Sequence, residues 1–246
     1  MSHGGFGNER AADSPDEDLA TFQSRLRRLK REGCNLLVVG DAPRELFAQA
    51  SESMLGDADA RRWRVFGLTD ATPESVRDRL PAASATPRPL SETTKLVTHP
   101  VGSQRTTDAA NPTGPTTTVP GAAIPEVTVE DTDLAEFGRE LCSTIETFGA
   151  RSYRPAEVRL SVDSLAPLLD CYDREEVRRF LRSVGSCVRD WNAMAHYVLP
   201  VAYDSEQCQR LADEFDAVVE LRTTSECAEE RWHLPSSDAT MPWVPL

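Results

Sequence analysis

Asn35-Leu36-Leu37-Val38-Val39-Gly40-Asp41-Ala42-Pro43 decides the fold class. The apolar residues Leu36 to Val39 run without alternation, so neither face of the strand they form is meant for water. That is the pattern of a central strand in a parallel sheet. Gly40 to Pro43 is the turn that ends it, and a helix is predicted over about Arg44 to Met54. Arg64 to Leu68 is a second strand, and Thr72-Pro73-Glu74 opens a helix reaching about Leu80. This β-α-β-α order specifies an α/β fold with a mainly parallel sheet.

Upstream, Ser14-Pro15 supplies an N-cap and a first-turn proline, so residues 14–32 form an N-terminal helix carrying Leu19, Phe22, Leu26 and Leu29 as its apolar stripe, with Gly33 as its stop. Residues 1–13, rich in glycine and charge, have little to bury and are expected to be disordered. Arg25, Arg27, Arg28, Lys30 and Arg31 crowd the end of this helix, either as a patch for nucleic acid or a partner or as charges complementing the helix dipole.

Downstream, eight of the seventeen prolines fall between Pro81 and Pro125, with one strand expected at Thr94 to Thr98. A segment so long and so rich in Pro and Thr reads as an insertion at about 100–123. Order resumes at Glu126 to Val129. Asp133 and Glu136 then form a capping box before Leu134, Phe137, Leu141, Ile145 and Phe148 at helical spacing. Val158 to Val162 is a strand that delivers Asp163-Ser164 at its carboxyl end. A helix capped by Asp173 and Glu176 follows, with Val177, Phe180, Leu181, Val184, Val188 and Trp191 on one face. Further strands are predicted at Met194 to Leu199 and Ala217 to Leu221 around a helix from Ser205 to Glu214, with an edge strand at Arg231 to Leu234. Residues 33–234 thus make a single domain, and 235–246 a tail.

Composition bounds the surroundings. Forty acidic residues face 27 basic ones, a formal charge of -13 over 246 residues, and only two of the basic residues are lysines, Lys30 and Lys95. An acidic, lysine-poor surface suits concentrated salt, where repulsion is screened within a few Å. The negative field disfavours nucleic acid and anionic membranes as partners. Residues 1–18 contain no apolar leader core and no apolar run approaches a membrane span, so a cytoplasmic location is expected. The six cysteines, Cys34, Cys142, Cys171, Cys187, Cys208 and Cys227, have no C-x-x-C spacing and read as reduced, buried small side chains.

Ligands of open parallel sheets sit beyond the carboxyl ends of the strands, which singles out Gly40-Asp41, Thr69-Asp70, Asp163-Ser164 and the stretch from His196 to Pro200. An aspartate after an apolar strand that follows an amphipathic helix is placed like a Walker B carboxylate, which holds Mg²⁺; Asp-Ser is equally an ordinary helix cap. From Glu157 to Leu221 the chain resembles the second half of a RecA/KaiC-type ATPase domain. It is similar, more closely, to a haloarchaeal family of unknown function with a KaiC-like core. The residues that carry the likeness are Asp163-Ser164-Leu165, Tyr172-Asp173, Arg179-Phe180-Leu181, Ala195-His196-Tyr197 and Phe215-Asp216-Ala217-Val218-Val219-Glu220, with a fainter match over Gly33 to Leu80. The resemblance implies a RecA/KaiC-like three-layer α/β/α arrangement with a degenerate P-loop.

The departures bear on chemistry. A working phosphate loop needs glycines, a Lys and a Ser or Thr. Gly40-Asp41-Ala42-Pro43-Arg44-Glu45-Leu46 lacks the Lys, is short, loses an amide donor at Pro43 and adds two carboxylates. The place of the catalytic glutamate in KaiC-like enzymes falls at Thr69-Asp70. The expectation is therefore a non-catalytic regulatory or signalling scaffold that works through a protein partner or self-association and needs no cofactor. The alternative is a nucleotide-binding protein or weak ATPase, using ATP and Mg²⁺, with Asp163 and Ser164 as the Walker B-like pair and Gly40 and Asp41 in a non-standard phosphate loop. His196 stands at the sensor position of the resemblance and is either a ligand sensor or a hydrogen-bonded structural histidine; without a neighbouring histidine no metal site is expected.

Overall fold

The computed structural model of the chain describes residues 15–77, 80–101, 123–129, 133–225, 227–235 and 239–246, with side chains from residue 24 onward. Ten strands form one mixed, mostly parallel sheet. They are β1 (Cys34–Gly40), β2 (Trp63–Leu68), β3 (Thr94–Thr98), β4 (Glu126–Thr128), β5 (Val158–Val162), β6 (Met194–Leu199), β7 (Ala217–Thr223), β8 (Ala228–Leu234), β9 (Ala239–Thr240) and β10 (Val244–Pro245). The order is β10-β8-β7-β1-β6-β5-β2-β3-β4, with β9 also on β8. Every neighbour from β7 to β4 is parallel, and β8, β9 and β10 add an antiparallel margin.

Among the described residues, eight α-helices accompany the sheet: α1 (Pro15–Glu32), α2 (Arg44–Leu55), α3 (Pro73–Arg77), α4 (Leu90–Thr93), α5 (Leu134–Gly149), α6 (Ala166–Cys171), α7 (Arg174–Asp190) and α8 (Glu206–Leu211). Strand β1 explains why helices cover both faces, because all seven of its residues are buried. Leu37 and Val39 share one core with Phe137, Leu141 and Ile145 of α5 and Val177, Phe180 and Val184 of α7. Leu36 and Val38 point the other way, onto Leu46, Phe47 and Ala50 of α2. A smaller cluster, Leu55, Phe66, Leu68, Val76 and Leu96, seats α3 on the α2 side. Each large side chain so enclosed contributes about 1.5–3 kcal/mol.

Predicted and observed strands agree to within a residue for β1, β2, β3, β5 and β6, and the ordered stretch expected at Glu126 to Val129 forms β4. The cap residues diverge in an instructive way. Asp173 forms the full capping box with Glu176, whereas Asp133 accepts from Ala135 N and Glu136 turns aside to pair with Arg139. Trp191, predicted on the buried face of α7, lies just past its end, 37% exposed, against Gly149. The predicted helix from Ser205 ends early: Ala212–Glu214 tightens into a 3-10 turn, with Ser205 as the cap. The tail is part of the fold, since β9 and β10 both pair with β8 and Trp243 lies under the guanidinium carbons of Arg222 and Arg231 at 3.8 and 4.5 Å. All six cysteines are free, but only Cys34, Cys187 and Cys208 are buried; Cys171 and Cys227 are exposed because they fall at a helix end and in a turn. The expected disorder of residues 1–13 and nearly all of the insertion lie outside the described residues. Among those described, no helix is long and apolar enough to cross a membrane.

Candidate functional site

The connections leaving adjacent strands diverge at two places. After β2 the chain passes to α3 on the α2 side, while after β5 it passes to α6 and α7 on the opposite side. After β1 it passes to α2, while after β6 it passes to α8. Such divergence opens a crevice at the carboxyl edge, where side chains and backbone amides can meet a ligand.

Asp163 and Thr69-Asp70 meet in the first crevice. Thr69 N donates to Asp163 Oδ1 at 2.7 Å and Asp70 N to Oδ2 at 3.1 Å, with Ala71 N as a third donor. The Thr69 hydroxyl hydrogen is shared between Asp163 Oδ1 at 3.1 Å and the Ser164 carbonyl at 2.5 Å. Burial pushes the Asp163 carboxyl above its ordinary pKa while these amides and the hydroxyl pull it back down. Ser164, 6% exposed, accepts from Ala166 N at 3.2 Å and so serves the start of α6. Asp70 is exposed and pairs with Arg44 at 3.1 Å across the mouth.

The second crevice is closed by backbone. Gly40 N donates to Val201 O at 2.8 Å, and Gly40 has φ +152° against the Leu221 carbonyl, so a Cβ there would collide with main chain. Asp41 is exposed, and Pro43 stands at the N-cap of α2 with no side-chain cap bond. Pro43 brings no amide hydrogen to this turn, and Leu46 N returns to the Pro43 carbonyl at 3.0 Å.

His196 is not at the strand end. It is the third residue of β6, in register with Leu36 and Ser161, 2% exposed, and it faces the α2 side. Its Nε2 has no hydrogen-bond partner among the described residues. Burial first, and Arg159 second, lower its pKa to about 3, so the ring is neutral. Arg159, in register with Met194, donates to Met54 O at 3.2 Å, and burial foremost lowers its pKa to about 10. Beside this stack a cavity of about 290 Å³ opens between α2, α3 and the sheet. Its walls include Phe47, Leu55, Phe66 and Val76, and among the described residues its one lining cation is the Arg44 already paired with Asp70.

Asp216 sits far from both crevices. It accepts from Asn35 N at 2.8 Å and thereby pins the first turn of chain into β1, with Arg189 3.5 Å away. Tyr197 lies on the α5–α7 side and its hydroxyl donates to Asn35 Oδ1 at 3.3 Å.

A family model, that of the family of unknown function DUF7504, matches residues 33–221. The chain belongs to DUF7504. No curated protein matches its sequence. The DUF7504 match begins one residue before β1 and ends inside β7, so it holds both crevices and leaves α1 and the β8 to β10 margin outside.

Sequence reading by strand carboxyl ends overlooks the amino end of the sheet. There Arg61, Arg88 and Arg151 surround Trp63, their guanidinium carbons 5.7, 6.0 and 6.0 Å from its ring centroid, and Arg61 also stacks on Tyr153 at 4.6 Å. The available signal was the interleaving of arginine with aromatics in Arg61-Arg62-Trp63-Arg64 and Arg151-Ser152-Tyr153-Arg154.

Proposed function

We propose that this DUF7504 member is a non-catalytic RecA/KaiC-like domain, a three-layer α/β/α arrangement that serves as a regulatory or signalling scaffold through protein–protein contacts in the cytoplasm of a halophile. The observation that carries the reading is the engagement of Asp163. A metal-holding carboxylate must offer lone pairs outward. Here both oxygens already accept from the 69–71 backbone, so the carboxylate stitches β5 to the loop after β2. The closed Gly40 turn supports the same conclusion, as does the apolar cavity, whose cation is neutralised while Glu52, Asp70 and Asp163 line the same space. Among the described residues, a triphosphate entering there meets three carboxylates and one paired arginine. The acidic, lysine-poor composition supports the halophilic setting.

Thermal unfolding of the purified chain in molar KCl, with and without Mg·ATP, tests this. No shift is expected. Stabilisation by more than about 1 kcal/mol that disappears in Asp163→Asn would establish the nucleotide-binding alternative instead.

A further inference from the structure

The amino end of the sheet gathers positive charge in a protein whose net charge is -13. An open hollow of about 710 Å³ lies between the starts of β2 and β3 and the end of α5. Arg61, Arg88 and Arg151 line it, and none of the three pairs with a carboxylate among the described residues, although most exposed arginines elsewhere do. Glu92 is on the rim without an ion pair to any of them, and Lys95 faces Glu140 at 2.6 Å. Trp63, Thr94 and Arg61 line the same hollow, and their buried Nε1, Oγ1 and Nε atoms have no hydrogen-bond partner among the described residues; Trp63 is 2% and Thr94 0% exposed.

Every one of these groups can donate a hydrogen bond. Stacking on the Trp63 and Tyr153 rings occupies the flat faces of guanidinium groups and leaves their N–H edges available. The α5 carboxyl terminus supplies some compensation, since Arg61 donates to Arg151 O at 2.8 Å. That single carbonyl does not neutralise three guanidinium charges around one indole. A tetrahedral oxyanion does, because it brings several acceptor oxygens and negative charge in a shape that arginine forks match. Tyr153, 82% exposed, offers an open ring beside the charges. The group is too short a track for a nucleic acid strand, which needs cations spaced along its backbone.

We infer that this hollow binds a small aromatic phosphate monoester, its phosphate held by Arg61, Arg88 and Arg151 and its ring stacked on Tyr153. The site is independent of the two crevices and of the scaffold reading. Phenyl phosphate and inorganic phosphate, titrated without Mg²⁺ into the full chain at constant ionic strength and followed by NMR, are the test. Millimolar binding of both is expected, tighter for phenyl phosphate. Arg88→Ala and Arg151→Ala each weaken it about tenfold. Tyr153→Ala weakens phenyl phosphate several-fold and leaves inorganic phosphate unchanged. These arginines are exposed, so the variants keep the fold, which circular dichroism checks. Absence of binding, or binding unchanged in the two arginine variants, overturns the proposal. So does tighter binding of a hexaglutamate peptide or an oligothymidine than of phenyl phosphate, which would give the hollow to a macromolecule.

Discussion

With the exception of the Thr98 hydroxyl, which has no partner among the described residues, the two ends of one sheet treat their polar groups in opposite ways. At the carboxyl end, Asp163, Ser164, Thr69 and Gly40 spend their hydrogen bonds on one another and on the backbone. At the amino end, Arg88 and Arg151 stand exposed without a carboxylate among the described residues, and Trp63 and Thr94 keep buried donors without acceptors. A satisfied buried group stabilises the fold, while an unsatisfied one costs about 1–3 kcal/mol until something meets it. One end is therefore structural and the other receptive, the reverse of what strand direction alone suggests.

The largest expected effect tests the structural end. Asp163→Ala leaves three amides without their acceptor and should lower the unfolding free energy by about 4 kcal/mol in urea titrations. A loss below about 1 kcal/mol would mean that those amides have other partners and the contrast between the ends is false.

Acid sharpens the comparison next. His196 is neutral in the fold with a pKa near 3, while in the unfolded chain it takes a proton near its ordinary value of 6.5. Its contribution is full above pH 6.5 and is lost as pH falls toward 3, the loss amounting to about 3 kcal/mol by pH 4. The raised Asp163 carboxyl acts in the opposite sense over the acid range, so the comparison with His196→Met isolates the histidine. That variant should show a flatter pH profile below 6.5; an identical profile would place the proton elsewhere.

Gly40→Ala comes third. The new methyl would strike the Leu221 carbonyl at a positive φ, at a cost of about 2 kcal/mol read from the denaturation midpoint. The smallest effect belongs to the receptive end. Arg88→Ala together with Arg151→Ala should change stability by no more than about 0.5 kcal/mol, with a slight gain as like charges separate. A marked loss would make these arginines structural and remove the distinction.

How much of this was legible depends on what each residue answers to. Leu36 to Val39 announces a central strand because burial on both faces demands an unbroken apolar run, whereas Val158 to Val162 alternates apolar residues with Arg159 and Ser161 and is nonetheless buried throughout. Asp163 was legible as a position and ambiguous as a role, because a Walker B carboxylate and a loop clasp follow the same kind of strand. Only the amides of residues 69–71, distant in sequence, separate the two. His196 was placed too near the strand end, since Val198 and Leu199 complete the same apolar run. The hollow around Trp63 was missed because its arginines come from segments up to 90 residues apart and converge only when β2, β3 and α5 are side by side.

The sheet's margins have a consequence for assembly. One side ends in the three residues of β4, and on the other the seven-residue β8 is capped by the two-residue strands β9 and β10. Among the described residues, neither side offers a long open ladder of amides and carbonyls for another chain to extend. Strand-by-strand growth into a continuous sheet is thereby discouraged, and a protein partner of the proposed scaffold would engage helices, loops and side-chain surfaces instead.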